Sequence, residues 1–100
     1  MSYWLHPAAE AEIAAAARYY AEHASLVIAQ AYIQEFERVA EIIVNNQQFG
    51  TPLATGLRKY PFRRFPYTVF YRENLESGPR IYAVAHQRRE PGYWAQKPIA

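Results

Sequence analysis

Tyr67-Thr68-Val69-Phe70-Tyr71-Arg72-Glu73 crowds aromatic and β-branched side chains into one short run. Such a run favours a pleated, half-buried strand. Just upstream, residues 57–62 read as a second strand. Its Pro61 lacks an N–H and so belongs on an edge or at a bulge. Downstream, Ser77-Gly78-Pro79 marks a turn within residues 74–79, and Arg80-Ile81-Tyr82-Ala83-Val84-Ala85-His86-Gln87 forms the last strand. Three strands joined by short turns predict an antiparallel meander. Residues 47–56 carry Gly50, Pro52 and Gly56 and read as a connecting loop.

The other half of the chain has a different period. Pro7 suits the first turn of a helix, where its missing N–H costs nothing. Glu10 and Glu12 then lie near the positive end of the helix dipole. Ala9, Ile13, Ala16 and Tyr20 follow at helical spacing, predicting a first helix that runs to about residue 23. Ser25 reads as the N-cap of a second helix. Its apolar stripe is Ile28, Tyr32, Phe36, Val39 and Ile43, ending near Asn46. With so short a link, the two helices form an antiparallel hairpin. Leu26, Val27, Ile33, Ile42 and Val44 fall outside that stripe, which implies either burial on two sides or a patch awaiting a partner. Residues 3–5 make a short first strand. The expected class is α+β, in the order β-α-α-β-β-β, with the helices covering one face of the sheet.

A chain of 100 residues fits one domain spanning 1–100. At 51% apolar and 20% charged residues it is composed like a folded protein, not a disordered one. Cysteine is absent, which removes disulfides, zinc thiolates and cysteine nucleophiles. No apolar run approaches the length of a membrane span. The opening Met-Ser-Tyr-Trp-Leu-His-Pro lacks the basic and apolar regions of a signal peptide, so a cytoplasmic location is the expectation. His6, His23 and His86 stand far apart with no acidic pair at ligand spacing, and the glycines form no phosphate loop, so neither metal nor organic cofactor is expected.

The net charge of +2 divides into −4 over residues 1–50 and +6 over residues 51–100. The basic half also holds nine of the sixteen aromatic residues. Cationic and aromatic side chains together point to an anionic partner, either nucleic acid or an acidic peptide; the plain alternative is a set of solvated arginines. Two groups stand out. Arg58, Lys59, Arg63 and Arg64 bracket the first strand of the meander, and His86-Gln87-Arg88-Arg89 leaves the last one. The two groups are expected to converge at one end of the sheet, away from the helices, where guanidinium groups can grip phosphate or carboxylate. His86 is the only nearby side chain that titrates near neutrality, which makes it the candidate for proton transfer. Its alternative is a structural hydrogen bond at a strand end. For Arg72 the alternative is a weak surface ion pair with Glu73 or Glu76.

Phe65-Pro66-Tyr67-Thr68-Val69-Phe70-Tyr71-Arg72 and Val84-Ala85-His86-Gln87-Arg88-Arg89-Glu90-Pro91 resemble the RelE/ParE superfamily, toxins of bacterial type II toxin–antitoxin modules. The resemblance covers nearly the whole chain and implies the same β-α-α-β-β-β fold. It implies one of two actions. A RelE-like protein cleaves mRNA on the ribosome without metal, and the resemblance then assigns Lys59, His86, Arg88 and Tyr93 to catalysis. Thr68 and Pro61, however, stand where that branch carries an arginine and a second lysine. Each lost cation weakens charge stabilisation by roughly 3 kcal/mol.

The ParE-like branch more often shows the Tyr-x-Val-x-Tyr strand and the His-x-Arg-Arg ending, and it poisons DNA gyrase by binding. In that case Arg58, Arg63, Arg64, Arg88 and Arg89 form the target-binding surface. Tyr93 and Trp94 are the rings available to stack on a partner. Either branch implies a cognate antitoxin, an acidic segment that folds on binding, with Leu26, Ile33 and Arg72 as its expected contacts. The third alternative is a non-toxic protein- or RNA-binding module of the same fold.

Overall fold

The computed structural model describes residues 2–88. Helix α1 (Pro7–His23) starts where Pro7 allows it to, and His6 caps it: the His6 Nδ1 accepts the Ala8 N–H at 2.9 Å. Its end is closed by Ala24 N–H and Ser25 N–H, both donated to the Tyr20 carbonyl at 2.8 and 3.0 Å. Ser25 then caps α2 (Leu26–Asn45), its Oγ accepting the Ile28 N–H at 3.1 Å. Two residues thus join the helices, and the hairpin is antiparallel as the link length requires.

Five strands follow the order β1-β5-β4-β3-β2. The meander is β3 (Arg58–Pro61), β4 (Tyr67–Arg72) and β5 (Arg80–His86), all antiparallel. A bulge beside Phe70 and Tyr71 leaves Tyr82 as the extra residue on β5. Pro61 sits past the part of β3 that its outer neighbour covers, so its missing N–H faces no strand.

Two features depart from the sequence expectation. The stretch taken as a loop contains β2 (Thr51–Pro52), which pairs with Lys59 and Arg58. A two-residue strand with both side chains exposed has no alternation to display. The sheet also contains one parallel pair: β1 (Trp4–Leu5) lies beside β5, with Trp4 opposite Arg80 and Leu5 opposite Ile81. Gly78, at φ 88°, makes this possible, since a Cβ there would run into the Ser2 carbonyl. β1 covers only the first half of β5. Beyond it Glu12 reaches from α1 to accept the Val84 N–H at 3.0 Å, so a carboxylate takes the place of a further strand.

The core lies between the helix pair and one sheet face. Ala9, Ile13 and Ala16 of α1 and Tyr32, Phe36, Val39, Ala40 and Ile43 of α2 close over Val69, Tyr71, Ile81 and Val84. By the two-residue period, Tyr60, Tyr67 and His86 share that helix-side face, whereas Lys59, Thr68, Phe70 and Arg72 point the other way. Among the apolar residues outside the predicted α2 stripe, Ile33, Ile42 and Val44 are half-buried. Leu26 and Val27, however, stay 71% exposed at the hairpin tip.

Candidate functional site: a basic loop held by a buried carboxylate

Residues 62–66 turn the chain from β3 into β4, and the turn is built around a side chain from the helical layer. Glu35 of α2 is buried at 6% exposure. Its Oε2 accepts the backbone N–H groups of Arg63 at 2.6 Å and Arg64 at 3.0 Å. Arg38, one helical turn on, holds the same carboxylate in a fork: Nε to Oε1 at 2.8 Å and Nη2 to Oε2 at 2.9 Å. These donors explain why the Glu35 carboxyl is pulled from 4.5 down to about 2. The Arg38 hydrogen bonds act most strongly, helped by the Arg64 and Arg63 amides, and together they outweigh the cost of burial.

Phe65 completes the turn in the left-handed region at φ 73°, strain that a non-glycine residue bears only when its surroundings hold it. Its ring lies among Tyr20 at 5.0 Å and Tyr32 at 5.4 Å, within a cluster that also contains Phe62 and Tyr67. Burial, and then Tyr20, push the Tyr67 phenol up to about 12, so it stays protonated. With the loop amides turned inward to Glu35 and Phe65 packed in, Arg63 and Arg64 are left exposed.

The end of β5 joins the same region. His86 pairs with Tyr67, their rings 5.1 Å apart, and Gln87 N–H bonds the Pro66 carbonyl at 2.8 Å. Arg88 is exposed there, and its N–H donates to the His86 Nδ1 at 3.0 Å. That bond engages one of the two ring nitrogens of His86. His86 borders a depression of about 270 Å³ with Glu12, Tyr19 and Tyr67.

The expected convergence of basic residues is therefore only partial. Arg63, Arg64 and Arg88 do share one end of the sheet, but Arg63 and Arg64 lie beside α2 and not remote from the helices. Arg58 is at the other end of β3, where its Nε bonds Glu73 Oε1 at 2.8 Å and its Nη1 bonds the Gly50 carbonyl at 2.7 Å. Lys59 and His86 face opposite sides of the sheet, so the residues assigned to cleavage are not gathered among those described. Arg72 is exposed opposite Arg80, with neither Glu73 nor Glu76 bound to it. Leu26 lies at the hairpin tip, Ile33 stands seven residues on along the same side of α2 and is half-buried, and Arg72 is exposed at the end of β4. Arg89, Tyr93 and Trp94 lie outside the described residues. No group of three or more His, Asp or Glu gathers at metal-binding distance among the described residues. No helix among them is long and apolar enough to cross a membrane.

Sequence reasoning missed Glu35 altogether. It lies three residues after Tyr32 and four before Val39, and that helical spacing was the available hint that it faces inward.

Residues 3–91 match the family model described as the ParE toxin of the type II toxin–antitoxin system parDE. A solved structure titled "Chromosomal ParDE TA system from P. aeruginosa" is similar in fold, with a TM-score of 0.73 and 20% sequence identity. The likeness covers 86% of this chain and 95% of that one. Among curated proteins, none matches.

Proposed function

The chain belongs to the ParE toxin family of type II toxin–antitoxin systems, and from that premise we propose that it arrests growth by binding DNA gyrase through the end of the sheet that carries Arg63, Arg64 and Arg88. The observation that carries this reading is the loop geometry. A buried carboxylate and a left-handed Phe65 fix the backbone so that two adjacent arginines are held out with no ion-pair partner among the described residues. A surface prepared in this way loses little freedom on binding. The mode of action is binding without chemistry. This is supported by the separation of Lys59 from His86 and by the engaged Nδ1 of His86.

A cognate antitoxin neutralises the protein in the cytoplasm. The exposed pair Leu26 and Val27 offers it an apolar anchor at the hairpin tip, and a segment that also reached Arg72 would have to run the length of the molecule.

The test is a gyrase supercoiling assay on the purified full chain. Reversing Arg63 and Arg64 to Glu should raise the half-inhibiting concentration at least about tenfold, equivalent to about 1.4 kcal/mol. Inhibition by the double variant equal to that of the parent would remove the loop from the contact. A parent that leaves supercoiling untouched would remove gyrase as the target.

A further inference from the structure

We propose that Arg38, Arg63 and Arg64 form a binding site for nucleic-acid phosphodiesters. The inference rests on reading the 62–66 loop as a contact surface but not on gyrase as the target. The three arginines line a depression of about 280 Å³ between α2 and the loop, together with Ala31, Gln34 and Glu35. Three arginines and one carboxylate line it, a local charge of about +2 at neutral pH. That carboxylate is fully committed, since its two oxygens accept four hydrogen bonds from Arg38, Arg63 and Arg64. It organises the site without neutralising the two loop side chains.

The lining distinguishes a phosphate backbone from an acidic protein segment. Protein partners are held by apolar and aromatic anchors set among the charges. The exposed large apolar residues described are Tyr3, Tyr19, Leu26, Val27, Phe49 and Leu75, of which Val27 stands one turn of α2 before Ala31. None lines this depression. Charge without an anchor is what a phosphodiester contact needs. Arginine also suits it better than lysine, since its fork matches two phosphate oxygens. With no exposed ring to stack on a base, the site holds the backbone irrespective of sequence.

The experiment is fluorescence anisotropy of the full chain with labelled duplex DNA and, separately, duplex RNA of equal length, without gyrase. Affinity should fall between about 50 and about 200 mM salt with a log–log slope of roughly −2 to −3, as two or three neutralised phosphates require. The tighter of the two duplexes identifies the source of the phosphate. The double variant Arg63→Gln, Arg64→Gln should weaken binding at least tenfold and flatten the slope by about 2. Arg63→Lys with Arg64→Lys should keep the slope while losing affinity, because charge survives and the fork does not.

The proposal is overturned if neither duplex binds at the lower salt, or if the glutamine variant binds like the parent. It is equally overturned if a polyglutamate peptide binds as tightly as the duplexes. Should the glutamine variant fail to fold, the parent's own salt slope and the peptide comparison still decide. A protein that inhibits gyrase yet ignores both duplexes sinks this inference alone. One that binds duplex yet leaves gyrase untouched sinks only the gyrase reading.

Discussion

Arg58 and Arg63 bracket the same short strand, yet one is consumed by the fold and the other is held away from it. At the Arg58 end the chain satisfies itself. Glu73 and the Gly50 carbonyl take the guanidinium. Beneath them the Tyr71 hydroxyl donates to the Gln47 carbonyl at 2.7 Å and accepts the Gly50 N–H at 2.9 Å. At the Arg63 end the acidic residue is spent on backbone amides and on Arg38, so the loop guanidiniums keep their charge. The same residue type therefore carries two roles, and the nearest carboxylate's choice of partner decides between them. Each substitution below is a way to break that contrast or to sharpen it.

Glu35→Ala should have the largest effect. It removes the buried partner of a half-exposed Arg38 and leaves two loop amides without their acceptor, a loss of about 3 kcal/mol in a denaturant titration. The same residue gives the protein an acid limit. Its folded-state pKa is about 2 against an ordinary 4.5. The corresponding stability, about 3 kcal/mol, is therefore full above the unfolded value and drains away as pH falls from near 4.5 toward 2. In Glu35→Gln the melting temperature should decline less over that window. An equal decline would show that the carboxylate does not hold the loop.

Tyr71→Phe tests the opposite end and should cost about 2 kcal/mol, because it strands the buried Gly50 N–H and Gln47 carbonyl. Gly50 belongs to the same arrangement: a Cβ there would press on the Tyr71 ring, with Cε1 only 2.8 Å away. Neither change should alter gyrase inhibition by the fraction that remains folded. A loss of inhibition at constant folded fraction would mean that the two ends are coupled.

How much of this was legible depended on the range of the interaction. The helix hairpin was readable because Pro7, Ser25 and the Ala9–Ile13–Ala16 spacing act within a few residues. The meander was readable because residues 67–72 carry a dense β signal. The parallel pairing of β1 with β5 was not, since it joins Trp4 to Arg80 across nearly the whole chain. The Glu35 contact with the 62–66 loop failed to show for the same reason, as did Glu12 capping Val84. Glu12 and Glu35 looked like ordinary helix-surface acids, and only the folded chain reveals that each completes backbone at a strand or a loop. Arg58 and Arg63 were indistinguishable beforehand because their difference lies wholly in such distant partners.

Arg58→Met should cost about 1–2 kcal/mol, through the lost charged hydrogen bonds to Glu73 and Gly50, while leaving gyrase inhibition and duplex binding as they are. Arg63→Gln with Arg64→Gln should do the reverse. The side chains are exposed and the loop is held by their amides, which the substitution keeps, so stability should stay within about 0.5 kcal/mol of the parent. The measurement is a pair of denaturation curves set beside the two binding assays. If Arg58→Met lowers binding while the glutamine pair lowers stability, the assignment of roles is inverted. The carboxylate would then have been holding the loop for the sake of the fold and not for a partner.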